Sequence, residues 1–218
     1  MNQSDKNVAH TFGVTDYEAY WKSRPLDEAV RERQREFAFL TRLLPPPNRI
    51  LELGPGGGQL FWASQKAGYE MFAVDISQTV IDHLGANPER ARKADLNEGL
   101  PDFGARFGGI VGVMVLHHIA RPGVLLEQLR DVLEPGGYLL LTVPNIIILK
   151  NRLRLLVGKF PRLSPSHRNF MTPHEIRKLL EKTGFQTLKI TSSRNKFLNR
   201  LAPILFSREL IIVARVSA

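Results

Sequence analysis

The sequence contains no cysteine among its 218 residues. This absence excludes disulfide bonds, cysteine-ligated zinc and catalysis by a thiol. No apolar run approaches the roughly 20 uninterrupted residues that a membrane-spanning helix requires. The polar residues 1–10 also lack the apolar centre of a secretory signal. From these absences we predict a cytoplasmic protein that has no transmembrane segment.

Charge is distributed unevenly along the chain. Residues 1–144 hold 15 basic and 18 acidic side chains, whereas residues 145–218 hold 15 basic and 3 acidic ones. A basic end on a mildly acidic body is typical of a surface that meets an anionic partner, such as a phosphorylated substrate, nucleic acid or a membrane. A solvated basic face that keeps the protein soluble explains the same pattern. The charge alone leaves these alternatives open.

Strand-like and helix-like segments alternate through the middle of the chain. The pattern predicts strands at 49–53, 71–74, 110–115 and 138–143, and helices at 60–67, 77–84 and 124–133. This alternation predicts an α/β fold with a mostly parallel central sheet and helices on both faces. Ligands of such sheets bind at the carboxyl ends of the strands.

The two ends of the chain follow other patterns. A helix is predicted from Ser23, as its N-cap, through Pro25 to Leu44. After residue 144 come a basic amphipathic stretch at 146–159, a helix that begins with a capping box at Thr172, and strands at 186–191 and 209–216, joined by a connection at 193–208. We therefore divide the chain into an N-terminal helical cap (1–48), a Rossmann-like core (49–144), and a basic lid or acceptor segment with the final strands of the same domain (145–218).

A glycine-rich turn follows the first predicted strand of the core. The run Ile50-Leu51-Glu52-Leu53-Gly54-Pro55-Gly56-Gly57-Gly58 allows a tight turn and a close approach of the backbone to a ligand. A dinucleotide fingerprint requires its third glycine at position 59, which is Gln59 in this chain. The turn therefore disfavours a nucleotide-dependent oxidoreductase, which is kept as an alternative.

Two acidic residues add to this pattern. Glu52 would repel a pyrophosphate but suits a ligand that carries a sulfonium and an ammonium group. Asp75, roughly 20 residues further on at the end of the second strand, stands where an acid accepts hydrogen bonds from ribose hydroxyls. Asp95 is predicted to close a third strand.

At these residues the chain resembles the class I S-adenosylmethionine-dependent methyltransferases, in particular the small-molecule branch that includes quinone-biosynthesis and glycan-tailoring enzymes. The resemblance extends from about residue 17 to the end and implies a Rossmann-like methyltransferase fold with S-adenosylmethionine as the cofactor. It implies that the glycine loop holds the methionine part, Asp75 the ribose, and Asp95 with Leu96 the adenine. The implied cofactor-binding residues are Glu52, Gly54, Gly56, Gly58, Asp75, Ile76, Asp95, Leu96, Val115 and Tyr20.

Four further segments carry the resemblance. They are Val115-Leu116-His117-His118-Ile119 beside the sulfonium, Leu133-Glu134-Pro135-Gly136-Gly137-Tyr138 at the turn into the fifth strand, His167-Arg168-Asn169-Phe170, and the set of Tyr17, Tyr20, Trp21 and Arg24, which resembles an element that closes over the cofactor. Two positions depart from the family pattern. Many relatives have Phe-Asp before the fourth strand and Glu-His after it, whereas this chain has Phe107-Gly108 and His117-His118.

Three histidines are the catalytic candidates. If the methyl acceptor is a hydroxyl, a base has to take its proton, and His117, His118 and His167 suit this role because imidazole titrates near neutral pH. A structural role for these histidines is the alternative. An enolised carbon or a carboxylate would need no strong base. No metal ligands are predicted.

The predicted acceptor is a small molecule, a glycan or a lipid-linked compound, methylated at oxygen, and the basic end fits an anionic one. The stretch at 146–159 would be an acceptor lid, a helix on a membrane surface or a packing helix. Nucleic acid is disfavoured as an acceptor, because the chain lacks an Asn-Pro-Pro-aromatic run after the fourth strand. A non-catalytic S-adenosylmethionine-binding relative that acts with a partner is the second alternative.

Overall fold

The computed structural model describes residues 16–23, 26, 33–161, 167–194 and 197–217. Within these residues the strands are β1 (Arg49–Leu53), β2 (Glu70–Asp75), β3 (Ala91–Lys93), β4 (Phe107–Val113), β5 (Leu133–Pro144), β6 (Phe185–Ser192) and β7 (Glu209–Val216). They form one sheet in the order β3-β2-β1-β4-β5-β7-β6. The strands from β3 to β5 pair in parallel, whereas β7 is antiparallel to both of its neighbours. The predicted α/β fold with a mostly parallel sheet is confirmed.

Helices cover both faces of this sheet. They are α1 (Tyr17–Lys22), α2 (Gln34–Leu43), α3 (Gln59–Lys66), α4 (Gln78–Leu84), α5 (Pro122–Val132), α6 (Leu149–Leu156), α7 (Pro173–Lys182), α8 (Phe197–Leu201) and α9 (Pro203–Phe206). Side chains of β1 alternate between two apolar layers, because successive residues of a strand point to opposite faces. Leu51 packs in one layer with Leu129 of α5, and Ile50 packs in the other with Phe61 of α3. None of the helices in the described part of the chain is long and apolar enough to span a bilayer.

The strand order reverses between β1 and β4. In a parallel sheet the connections leave such neighbouring strands toward opposite faces, which opens a crevice at their carboxyl ends. Leu53, the last residue of β1, pairs with Val74 of β2 on one side and with Gly112 of β4 on the other. The turns that follow β1, β2 and β4 therefore meet at one edge of the sheet.

The predicted helix from Ser23 to Leu44 was wrong at its beginning. Ser23 ends α1, where its backbone N–H donates to the carbonyl of Ala19 at 3.1 Å. The side chain of Asp16 accepts from the backbone N–H of Ala19 and so begins the helix earlier. Helix α2 then starts at Gln34. Residues 24–25 and 27–32, including Arg24 and Pro25, lie outside the described residues.

Two other expectations need correction. Strand β3 ends at Lys93, so Asp95 follows it in a turn instead of closing it. The segment 193–208 was predicted as a plain connection but contains α8 and α9. Pro203 occupies the first position of α9, where the backbone N–H that proline lacks is not needed. The capping box of Thr172 and Glu175 at the start of α7 is confirmed.

Candidate active site

The turn between β1 and α3 has a backbone that requires glycine. Gly54 and Gly56 have φ values of +60° and +55°, in the left-handed region. The N–H of Gly54 donates to the carbonyl of Val74 at 2.8 Å, which holds the turn against the end of β2. A Cβ atom at Gly54 would lie 2.6 Å from Cγ2 of Val115, and one at Gly56 would lie 3.1 Å from the ring of Trp21. The loop is therefore packed between the turn after β4 and helix α1.

We expect Gly54→Ala to lower the free energy of unfolding by more than Gly85→Ala. The two glycines have nearly equal φ values, +60° and +59°, so both alanines carry the roughly 1–2 kcal/mol cost of a left-handed residue. Only the methyl group at position 54 would collide with Val115, since no described residue lies within 4 Å of a Cβ at Gly85. Urea unfolding of both variants measures the difference. Adding Val115→Ala to Gly54→Ala should recover part of the excess loss, and equal losses in the single variants would contradict this packing.

Glu52 lies at the base of the loop and is buried, with 2% of its surface exposed. Its Oε2 atom has no hydrogen-bond partner among the described residues. Burial raises the pKa of the Glu52 carboxyl to about 8; the charge of Arg33 opposes this shift and that of Asp75 adds to it. A buried carboxyl with an unsatisfied oxygen fits a ligand that brings a positive charge or an N–H donor. The methionine part of S-adenosylmethionine carries both.

Asp75 ends β2 at the same edge of the sheet. Its Oδ1 accepts a hydrogen bond from the backbone N–H of Ser77 at 2.9 Å. Burial raises the pKa of Asp75 to about 6, an increase that backbone N–H groups of Ser77, Gly56 and Ile76 reduce. Ile76, the next residue, is 37% exposed. This carboxylate thus links the end of β2 to the glycine loop and is placed to accept hydroxyl donors.

Helix α1 connects three parts of this edge. Glu18 accepts hydrogen bonds from the hydroxyls of Ser77 at 2.8 Å and Thr79 at 2.6 Å. The hydroxyl of Tyr17 lies 2.9 Å from Nδ1 of His118. The ring of Tyr20 lies edge-on to that of Trp21, with centroids 5.2 Å apart. Glu18 could not be predicted from the sequence, because its partners are distant in the chain and no local pattern indicates its role.

In the turn after β3, the acidic side chain accepts hydrogen bonds from within the turn. Oδ1 of Asp95 accepts from both the backbone and the side-chain N–H groups of Asn97, each at 2.8 Å. Leu96 is buried in the apolar layer that contains Leu51. A contact of Asp95 and Leu96 with adenine stays a prediction, and their visible roles are to form the turn and to fill the core.

The three predicted histidines form one cluster. His117 and His118 belong to a 3-10 helix, Leu116–His118, which follows β4. The backbone N–H groups of Arg168 and Asn169 donate to the carbonyl of His117 at 2.9 and 3.0 Å. These bonds hold His167 beside His117 and His118. The ring centroid of His117 lies 4.1 Å from that of His118 and 4.3 Å from that of His167.

The environment lowers the basicity of His117 and His167, which were expected from the sequence to titrate near neutral pH. Burial lowers the pKa of His117 to about 2, with the neighbouring charges of His118 and His167 adding to the shift. Burial and His118 lower the pKa of His167 to about 4. Met114, just before this turn, has a φ of 58°, which is rare for a residue with a side chain. Such backbone conformations are concentrated at functional sites.

Two cavities are lined by the segments around residues 143–160. Val143, Pro144, Ile146 and Phe170 line a small pocket beside His117. Next to it in sequence, α6 forms one wall of an open groove of about 690 Å³. The residues that line the groove are Ile148, Leu149, Lys150, Leu153, Arg154, Val157, Lys159, Leu205, Phe206 and Arg208. The groove thus combines an apolar floor with several cationic groups.

Comparison with known proteins identifies the family. A family model described as a methyltransferase domain matches residues 20–190. The ubiquinone biosynthesis O-methyltransferase of Dinoroseobacter shibae is 27% identical over 176 residues, which cover 74% of this chain and 70% of that protein. The enzyme of the same name from Azorhizobium caulinodans is 26% identical over 166 residues, which cover 70% of this chain and 65% of that protein.

Solved structures agree in fold. A SAM-dependent methyltransferase from Archaeoglobus fulgidus superposes with a TM-score of 0.64 at 21% identity, covering 92% of this chain and 100% of that one. The CcbJ methyltransferase from Streptomyces caelestis superposes with a TM-score of 0.66 at 20% identity, covering 95% of this chain and 98% of that one. The predictions of a class I fold, of methyltransferase activity and of S-adenosylmethionine as cofactor are confirmed, and the chain belongs to the methyltransferase-domain family.

Proposed function

We propose that this methyltransferase transfers the methyl group to an oxygen atom of a small-molecule acceptor that is apolar or lipid-linked and carries a negative charge. One observation supports the proposal above all. The glycine loop, the two buried carboxyls Glu52 and Asp75, and the histidine cluster meet at the same edge of the sheet, where strand order reverses. The proposed cofactor site and a cluster of three imidazoles thus lie at the same edge.

The residues proposed to hold the cofactor are those predicted from the sequence. They are Glu52, Gly54, Gly56, Gly58, Asp75, Ile76, Asp95, Leu96, Val115 and Tyr20. When bound, S-adenosylmethionine supplies a methyl group that its sulfonium already activates, so the protein mainly has to align the acceptor and exclude water. Helix α1, part of the proposed cap at 1–48, is placed to exclude water, because Trp21 packs on the loop at Gly56.

The histidine cluster supports oxygen as the atom methylated. A hydroxyl acceptor has to lose its proton, and we propose that His117, His118 and His167 assist this loss by accepting hydrogen bonds from the hydroxyl, since the low pKa values of His117 and His167 make these two rings weak proton acceptors. A carboxylate or an enolised carbon would make no use of three imidazoles. The two relatives described above are named O-methyltransferases.

The basic segment after residue 144 supports an acceptor that is both apolar and negatively charged. Leu155 and Leu156 of α6 are 53% and 81% exposed, and Phe160 just beyond is 73% exposed. Lys150, Arg154 and Lys159 line the groove together with apolar residues. An apolar chain would lie along the floor, and an anionic group would meet the cations. We propose residues 145–218 as the acceptor-binding part of the domain.

A matched acceptor panel tests this proposal. The purified protein is incubated with S-adenosylmethionine and phenols that carry a carboxylate, a prenyl tail, both or neither, and with anilines in which an amino group replaces the hydroxyl. Formation of S-adenosylhomocysteine and of the methyl ether is followed by mass spectrometry. We expect the highest rate with the prenylated, acidic phenol. Methylation of the anilines alone, or of none of the compounds while the cofactor binds, would overturn the oxygen assignment.

Replacing both His117 and His118 by alanine should slow turnover by about 100-fold or more, which is the usual contribution of groups that assist proton transfer. The affinity for S-adenosylmethionine should change by a few-fold at most, because the carboxyls and the glycine loop are intact. Single-turnover rates and calorimetric titration measure the two effects. His174→Ala, which removes an exposed imidazole on α7, is the matched control. Unchanged turnover in the double variant would remove the two histidines from the mechanism.

A further inference from the structure

The histidine cluster contains polar atoms that the rest of the structure leaves unsatisfied. His117 is 2% exposed. Neither of its ring nitrogens, nor Nδ1 of His167, has a hydrogen-bond partner among the described residues. Buried polar atoms of this kind are rare and costly, because they have lost water and gained nothing in exchange. These nitrogens are therefore available to bind a ligand.

The geometry of the cluster indicates what that partner is. His117, His118 and His167 each offer a ring nitrogen, and these atoms lie within 4.8 Å of one another. Three nitrogens around a tetrahedral zinc ion, with bonds of about 2.0–2.1 Å, lie roughly 3.3 Å apart. His167 is only partly buried, so rotation of its ring would close this difference.

We propose that His117, His118 and His167 bind a divalent transition-metal ion, with Zn²⁺ as the ion of choice. All three ligands are imidazoles, which suit zinc, copper, nickel and iron, whereas magnesium and calcium require oxygen ligands. No carboxylate joins the group in the described part of the chain, which leaves a fourth position for water or an acceptor oxygen. Sequence analysis predicted no metal ligands, because only the fold brings His167 to the other two.

One contact beside the cluster supports the site. The Tyr17 hydroxyl lies 2.9 Å from Nδ1 of His118. A partner at the second ring nitrogen fixes the orientation of a ligating histidine.

The chemical role of the ion depends on the proposed function, whereas its binding does not. Positive charge beside an acceptor hydroxyl favours the ionised oxygen, which is the nucleophile of methyl transfer. The histidines would then assist the loss of the proton through the ion that they hold.

Metal titration tests the proposal without an activity assay. The chelator-treated, desalted protein is titrated with ZnCl₂ by calorimetry and with CoCl₂ by visible absorption, whose bands report tetrahedral nitrogen ligation. We expect saturable binding of about one ion per chain. His167→Gln should weaken it by more than about tenfold, and His174→Gln should leave it unchanged. Thermal unfolding verifies that both variants are folded.

Two results would overturn the site: absence of saturable binding by the unaltered protein, or equal affinity in His167→Gln. Calorimetry with S-adenosylmethionine on the same preparations separates this test from that of the proposed function. Absence of metal binding by the unaltered protein, with intact cofactor binding, rejects the metal site alone. Metal binding without cofactor binding rejects the assignment of the cofactor residues and leaves the metal site standing.

Discussion

Asp75→Asn should weaken binding of S-adenosylmethionine by about 10- to 100-fold, since hydrogen bonds to a charged group contribute roughly 1.5–3 kcal/mol. Asparagine keeps the volume of the side chain and one acceptor oxygen, so it removes the charge and leaves the turn after β2 in place. Calorimetric titration of the variant measures the loss. Asp82→Asn, which removes an exposed carboxylate on α4, is the matched control and should bind as the unaltered protein does.

The same carboxyl makes cofactor affinity depend on pH. The pKa of Asp75 is raised to about 6 by burial, and the ionised form is the one that accepts two hydroxyl donors. Affinity should therefore rise as the pH increases through about 6, and Asp75→Asn should lack this rise; ionisation of Glu52, whose pKa is about 8, adds a separate rise at higher pH. Titrations between about pH 5 and 7.5 cover the range. An affinity that is independent of pH, or an asparagine variant that binds normally, would show that Asp75 does not hold the ribose.

Glu52→Gln should have opposite effects on stability and on binding. Without a ligand, the pKa of the Glu52 carboxyl is about 8 in the folded chain, against an ordinary value of 4.5. The folded state therefore favours the protonated form, and the stability that this preference gives is complete below the ordinary value and is lost as the pH rises to about 8. A neutral glutamine removes this loss. The variant should be more stable than the original at pH 8 by a few kcal/mol at most.

Urea unfolding at pH 5 and pH 8 measures this effect. The difference between the two proteins should be small at the lower pH and should favour Glu52→Gln at the higher one. The variant should nevertheless bind S-adenosylmethionine more weakly, because the buried negative charge is gone. Glu181→Gln, at an exposed position of α7, should change neither quantity. A variant that is less stable at pH 8 would mean that Glu52 is a structural carboxylate, satisfied within the protein.

The core of the fold could be predicted from the sequence where the signals are local. Residues 49–58 combine a buried strand with a turn of glycines, and no other local structure satisfies both. Thr172, Pro173 and Glu175 are all neighbours in the chain, so their capping box could be predicted in the same way. Such signals located the loop and the helix within a residue or two.

What could not be predicted depends on contacts between distant segments. Helix α1 is capped by Asp16 and is tied by Glu18 to Ser77 and Thr79 at the start of α4, about 60 residues further along the chain. The grouping of His167 with His117 depends on two backbone hydrogen bonds between loops. A pattern along the chain carries no information on such pairings.

The position of β7 also determines when the sheet can be completed. Although β7 follows β6 in the chain, it lies between β5 and β6 in the sheet, so β6 has no strand to pair with until Glu209–Val216 has left the ribosome. Until then the apolar residues Leu139 to Val143 form an open sheet edge, which is the kind of surface on which nascent chains aggregate. Pairing of β7 is therefore the step that both protects this edge and completes the sheet.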